Sequence, residues 1–185
     1  MGSRFRLKLK CFLLNEKIIV IKFQGALQTT MNDEPGTIYF YKVQNPYGCF
    51  SNFSRHGIHL HGEDWLTVEH YYQAQKFVNT VNAELVTVVK LVPTPTEAAQ
   101  LGRDPRYQVR SDWEVVKLEI MREAVLTKFL SHLEIQKILL STGERVIVED
   151  SPTDYFWGCG IDRTGENHLG KILMSVRQQI RESRE

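Results

Sequence analysis

Between Trp65 and Val81 the order of apolar and polar residues takes on a helical period, after shorter segments that alternate in twos. Projected at about 100° per residue, His70, Tyr71, Ala74, Phe77, Val78 and Val81 share one broad apolar side suited to a core. Glu69, Gln73 and Lys76 fall in one column on another side, with Tyr72 and Thr80 beside them. Thr67 is positioned to cap this helix. Such a column is either a solvated face with weak pairings along the helix or a pocket wall. In a pocket it offers an acid or base, an orienting amide and a potential nucleophile.

Elsewhere the pattern predicts strands over residues 37–43, 58–61 and 145–148, with turns at Asn45-Pro46-Tyr47-Gly48 and Gly62-Glu63-Asp64. A second helix is predicted over residues 83–91. Thr94, Pro95 and Glu97 then make a capping box for a short helix that Gly102 stops. Ser111 with Glu114 repeats the box before a long amphipathic helix from Asp112 to about Leu130, with Trp113, Val116, Ile120, Ala124 and Phe129 inward. Residues 133–140 continue helically. The expected fold is α+β: one domain, with a small, mainly antiparallel sheet from the Thr37, Ile58 and Arg145 strands packed by at least four helices.

The first thirty residues differ from the rest. Residues 5–23 alternate as two strands around Asn15-Glu16, and with Arg4 just before them carry Arg6, Lys8, Lys10, Lys17 and Lys22 against the single acid Glu16. Lysines break its apolar stretch, which argues against a signal peptide. Residues 1–30 read as a basic extension or as sequence upstream of the true start, and residues 31–185 as the functional domain.

Composition narrows the function classes. A chain of 185 residues, 42% hydrophobic, can bury a sizeable core. Its net charge of +1 creates no field to draw nucleic acid or a membrane surface, and no apolar run approaches the ~18 residues of a bilayer span. The three cysteines, Cys11, Cys49 and Cys159, are too scattered for a disulfide framework or a cysteine-based zinc site, and fit a reducing, cytoplasmic compartment. His59 and His61 point the same way on a strand but lack a third ligand at suitable spacing, so no metal is expected.

Two loops carry candidate chemistry. Arg103, Arg106 and Arg110 lie in a basic loop that either grips phosphate through charge-assisted hydrogen bonds or is simply solvated. Gly158, Gly160 and Gly165 feed a helix that Asn167 is placed to cap, a weak signal for an anion site. The spacing matches neither a dinucleotide-binding fingerprint nor a P-loop.

Phe50-Ser51-Asn52-Phe53, Glu69-His70-Tyr71-Tyr72-Gln73-Ala74-Gln75-Lys76-Phe77, Asp154-Tyr155-Phe156-Trp157-Gly158-x-Gly160 and Gly165-x-Asn167-x-Leu169-Gly170 together resemble the NADAR (YbiA-like) family. The order and spacing agree over roughly residues 37–181, and Gly102-Arg103 and Trp113 also fall where that family has such residues. The resemblance implies an N-glycosidase that cleaves the bond between a nitrogenous base and ribose 5-phosphate in early riboflavin-pathway intermediates, of the 5-amino-6-ribosylaminouracil 5′-phosphate type. Alternatively it implies a glycohydrolase that removes ADP-ribose from guanine bases, with nucleic acid as partner only in that case. A non-catalytic module binding ADP-ribose or NAD is the rival from another class. No metal or organic cofactor is implied.

Breaking an N-glycosidic bond develops an oxocarbenium-like centre that a carboxylate steadies or a nucleophile traps. Glu69 and Asp154 are the candidate carboxylates, and the first-turn position of Glu69 favours its ionised form. Lys76 is the candidate nucleophile, attacking C1′ and forming a Schiff base, a route the resemblance makes reasonable; otherwise it pairs with Glu69 or Asp154. Tyr72, Phe53 and Trp157 are candidates for stacking on the base. Asn52, Gln73 and Asn167 are candidate polar contacts. The loop around Gly158 and Gly160, with Arg103 and Arg106, is the candidate phosphate site.

Overall fold

The computed structural model describes residues 36–184. The basic N-terminal hairpin and the boundary at Met31 lie outside the described residues.

Among the described residues, six helices and four short strands follow in the order β1 (Thr37–Phe40), β2 (Ile58–Leu60), β3 (Glu63–Trp65), α1 (Val68–Gln75), α2 (Leu85–Leu91), α3 (Pro95–Arg103), α4 (Trp113–Ser131), α5 (Leu133–Ser141), β4 (Val146–Glu149) and α6 (His168–Glu182). Helix α1 is the hub, packed against α2, α3 and α4, while α6 packs on α4 and β4. Tyr71, Ala74 and Phe77 are buried in the core with Val89, Ala98, Phe129, Ile147, Leu169 and Leu173. The helix ends earlier than its apolar stripe suggests: Lys76 is the C-cap, and Val81 lies 78% exposed. No described helix is long and apolar enough to cross a membrane.

Strand pairing departs from expectation. β1 and β4 pair in parallel, with Phe40 opposite Glu149, whereas β2 and β3 form a separate antiparallel hairpin. Alternation along a strand fixes which side chains face the core, not its partner or direction. The second strand of the hairpin was hidden in residues read as a turn. The turn itself is His61-Gly62, both at positive φ (53° and 79°), the geometry of a two-residue hairpin loop.

Local capping follows the sequence in two places of four. Thr67 accepts from the His70 amide, and Thr94 and Glu97 form the full capping box. At α4 the N-cap is Asp112, whose carboxylate is taken by Arg110 instead. Asn167 has left-handed backbone (φ 52°), and its side chain makes no cap bond to α6.

Candidate active site

Two members of the polar column of α1 are buried and the third, Lys76, is half-buried. Glu69 and Gln73 are 4% and 2% exposed, which excludes the solvated-face reading. The column lines a cavity of about 270 Å³, whose other walls are the Ser51–Phe53 turn, Arg103 at the end of α3, Trp113 and Lys117 of α4, Glu149, Asp154 and Trp157. A wider cavity of about 840 Å³ adjoins it through shared residues, among them Phe53, Arg103, Glu149 and Asp154.

Gln73 donates to Glu69 Oε1 at 2.8 Å, and the Asn52 carbonyl accepts the Glu69 amide at 3.1 Å. Burial pushes the Glu69 carboxyl above its ordinary range, outweighing the Gln73 bond and the charges of Arg103 and Lys76; Asp154 adds to the rise. The expectation that the first-turn position favours the ionised form of Glu69 is therefore corrected in its direction, because burial favours the neutral form on balance. Loss of water outweighs a partial dipole charge at a site this dry.

Lys76 Nζ donates to the Gly102 carbonyl at 2.7 Å and stands 5.6 Å and 5.8 Å from the ring centres of Trp113 and Tyr72. Burial brings its pKa down to about 8. Glu69 works against that fall and Arg103 with it. Roughly a tenth of such amines are unprotonated at neutral pH, against a negligible fraction for a solvated lysine. Lys76 is thus an amine partly prepared to attack.

Tyr72 is wedged between Trp113 (4.9 Å between rings) and Trp157 (5.4 Å, edge to face). Trp157 and Phe53 both line the inner cavity, only partly buried. Asn52 Oδ1 and Gln73 Oε1 are buried without a hydrogen-bond partner among the described residues. Two unsatisfied acceptors on the wall of one cavity are costly unless a donor arrives with a ligand.

Other expected residues play different parts. Asp154 lines both cavities, and its Oδ1 accepts the amides of Phe156 and Trp157 at 2.9 and 2.7 Å, shaping the loop that carries Trp157. The glycine loop folds on itself: a Cβ on Gly160 would strike the Tyr155 ring at 2.4 Å, and one on Gly158 would meet the Glu149 carbonyl at 2.9 Å. The amides that open α6 are spent on this loop, with His168 and Leu169 donating to the Phe156 and Trp157 carbonyls at 3.1 Å each. This weakens the expected anion site at the helix start, because its first two amides already have partners. Asn167 is a clamp: its Nδ2 donates to the Ile147 carbonyl and its Oδ1 accepts the Glu149 amide, at 2.9 and 3.0 Å. Gly158, Gly160 and Asn167 line neither cavity. Arg106 lies outside both as well, bonded to Asp104 on the surface. Arg103 lines both cavities, and its guanidinium makes no hydrogen bond or ion pair among the described residues.

Three residues escape the sequence reading. Glu149, the last residue of β4, lines both cavities with Oε2 buried and unpartnered. Its position at the carboxyl end of a strand, where α/β ligands gather, was the available signal. Lys117 reaches the cavity one turn along from Trp113, with its ammonium 3.8 Å from the Phe156 ring centre. Lys128, fully buried on α4, donates to the Ser51 carbonyl at 2.9 Å and so holds the turn that carries Asn52 and Phe53.

Comparison with known proteins gives the site its context. The chain is 61% identical over 145 residues to an N-glycosidase of Nostoc punctiforme, covering 78% of this chain and 93% of that protein. It is 40% identical over 159 residues to N-glycosidase YbiA of Escherichia coli, covering 86% and 94% respectively. A chloroplastic riboflavin biosynthesis protein, PYRR of Zea mays, is 43% identical over 159 residues that make up 26% of its length. The NMR structure of Escherichia coli YbiA superposes with a TM-score of 0.74 at 38% identity, over 80% of this chain and 86% of that one. The NADAR domain itself matches residues 39–181, a span running from β1 almost to the end of α6 and enclosing every wall of the inner cavity. The chain belongs to the NADAR domain family.

Proposed function

We propose that this chain is an N-glycosidase acting on a small ribose 5-phosphate whose base is joined at C1′, of the kind met early in riboflavin synthesis. Relatives named as N-glycosidases and as riboflavin biosynthesis proteins support that reading. The observation that carries it is the pairing, on one face of α1, of a largely dehydrated amine with a buried carboxyl group.

In this reading the sugar C1′ lies over Glu69 and Lys76. As the C1′–N bond breaks, its electron pair leaves with the base. The free amine of Lys76 attacks C1′, the ring opens to an iminium, and water then returns the sugar aldehyde and the amine. Glu69 and Asp154 supply negative charge to the cationic centre as it forms. Trp157, Tyr72 and Phe53 bound the base, Asn52 and Gln73 accept hydrogen bonds from it or the ribose, and Arg103 meets the phosphate. Residues 31–185 are the proposed functional domain and the cytoplasm the proposed location, in keeping with the few, scattered cysteines.

A second reading, removal of ADP-ribose from guanine, draws on the wider cavity, whose volume of about 840 Å³ exceeds what a ribose phosphate needs. Incubation with each substrate and chromatography of the products decides between them. Release of free base and ribose 5-phosphate is expected. Release of guanine alone, from the ADP-ribosylated base, supports the second reading. A thermal shift with ADP-ribose, and no released base from either substrate, points to a binding module.

A further inference from the structure

We infer that Glu149 is the general acid of the reaction, donating its carboxyl proton to the nitrogen of the departing base. The inference rests on the N-glycosidase reading above and adds a catalytic residue to it.

The backbone of Glu149 is fixed from two sides: its amide donates to Asn167 Oδ1 at 3.0 Å, and its carbonyl accepts from Cys159 at 2.9 Å. The side chain therefore starts from a rigid point at the seam of the two cavities. Its Oε2 is buried with no donor to serve it among the described residues. Glu149 as a whole is half-buried, but a carboxylate with one oxygen stripped of water and donors favours the protonated form, and as a neutral acid it carries an O–H in need of an acceptor. Glu69 differs, because it has the Gln73 amide and the positive charges of Lys76 and Arg103 to offset its burial. Around Glu149 stand Glu69 on α1, Asp154 on the following loop and Arg103 on α3, with Lys76 and Lys117 on the same cavity wall. Burial, then the charges of Asp154 and Glu69, push its pKa up to about 8, with Arg103 opposing. Two carboxyl groups in one cavity with unequal support divide acid and electrostatic work between them.

The step balances. The Glu149 proton moves to the base nitrogen as the C1′–N bond gives that nitrogen its electron pair. The resulting carboxylate takes a proton back from the water that finishes the hydrolysis.

The test compares two substrates of one sugar: the ribosylamino-pyrimidine 5′-phosphate, whose amine must be protonated to leave, and 4-nitrophenyl ribofuranoside 5-phosphate, whose phenolate leaves unaided. Glu149→Gln should lower kcat/KM on the amine substrate by at least ~100-fold and on the nitrophenyl substrate by less than ~10-fold. The wild-type loss of rate above about pH 8 should appear with the amine substrate only. Equal losses on both substrates, or retained activity on the amine substrate, overturn the assignment. Wild-type protein that cleaves neither overturns the N-glycosidase reading itself. Glu149→Asp, which keeps the acid on a shorter stem, should recover more activity on the amine substrate than Glu149→Gln; a variant no better than Gln speaks against acid catalysis.

Discussion

Gln73 lies so close over the Cα of Gly102 that a methyl group there would sit 1.9 Å from its amide oxygen. The same glycine offers its carbonyl to Lys76 Nζ at 2.7 Å. One residue without a side chain therefore sets both the amide and the amine of the α1 column. In Gly102→Ala the better helix propensity of alanine, worth about 1 kcal/mol, opposes an overpacking cost of about 1–3 kcal/mol. The melting temperature should change little or fall modestly, while kcat/KM drops by an order of magnitude or more as Gln73 is driven from Glu69. Activity equal to wild type would show that the column tolerates this displacement.

The two arginines of the basic loop now separate. Arg103 faces both cavities with no side-chain partner among the described residues, whereas Arg106 is paired with Asp104 on the surface. Arg103→Ala should raise KM for a ribose 5-phosphate substrate by ~10–100-fold, the scale of a charge-assisted hydrogen bond of about 1.5–3 kcal/mol. For the dephosphorylated substrate the change should be slight. Arg106→Ala should leave both constants within about twofold. A large effect at Arg106 would mean that this loop rearranges around the ligand.

Lys76 must be unprotonated to attack, and its pKa lies near 8. Borohydride added during turnover should trap an adduct on Lys76, and with the nitrophenyl substrate, whose leaving group needs no acid, the initial rate of trapping should rise about tenfold per pH unit from 6 to 7, then level above 8. The same limb should shape kcat/KM. Lys76→Arg keeps the charge but forms no Schiff base, so turnover should fall at least ~100-fold with no adduct. Near-normal turnover in that variant would leave water, directed by Glu69 or Asp154, as the nucleophile.

Lys128 supplies a test through stability. Burial lowers its pKa from 10.5 to about 7. Between those values the unfolded chain takes up a proton that the folded one does not, so the wild type loses stability as pH falls through this window, and the penalty is complete below 7. Lys128→Met keeps most of the stem but strands the Ser51 carbonyl, a loss of about 1–3 kcal/mol near pH 10. Toward pH 7 that deficit should shrink or invert, as measured by urea unfolding at several pH values. A deficit constant across the range would refute a neutral buried lysine.

The legibility of this site follows the range of the interactions that make it. Glu69, Gln73 and Lys76 are visible as a column because helical spacing is local, and Thr94 with Glu97 is visible for the same reason. Their burial is not local: it depends on α3, α4 and β4 closing over the column from far along the chain. The parallel partner of β1 lies more than a hundred residues away, beyond what alternation encodes. Glu149 was missed because strand periodicity assigns a face and says nothing of the donors around a carboxylate. The glycine loop misled for a related reason. Its composition signals free amides at a helix start, and only the folded chain reveals that the carbonyls of residues 155–157 have claimed them.

In the proposed reading, because the first two amides of α6 are committed to that loop, the substrate's phosphate is not met there by a fixed set of backbone dipoles. The task falls to Arg103, with Lys117 and Lys42 at the margins of the two cavities, all on flexible stems. Recognition of this type is soft. It follows ionic strength, adapts to a phosphate set at different depths, and changes by single surface substitutions that leave the backbone intact. Members of such a family can diverge in the length of the anionic tail they accept while the chemistry at C1′ stays the same.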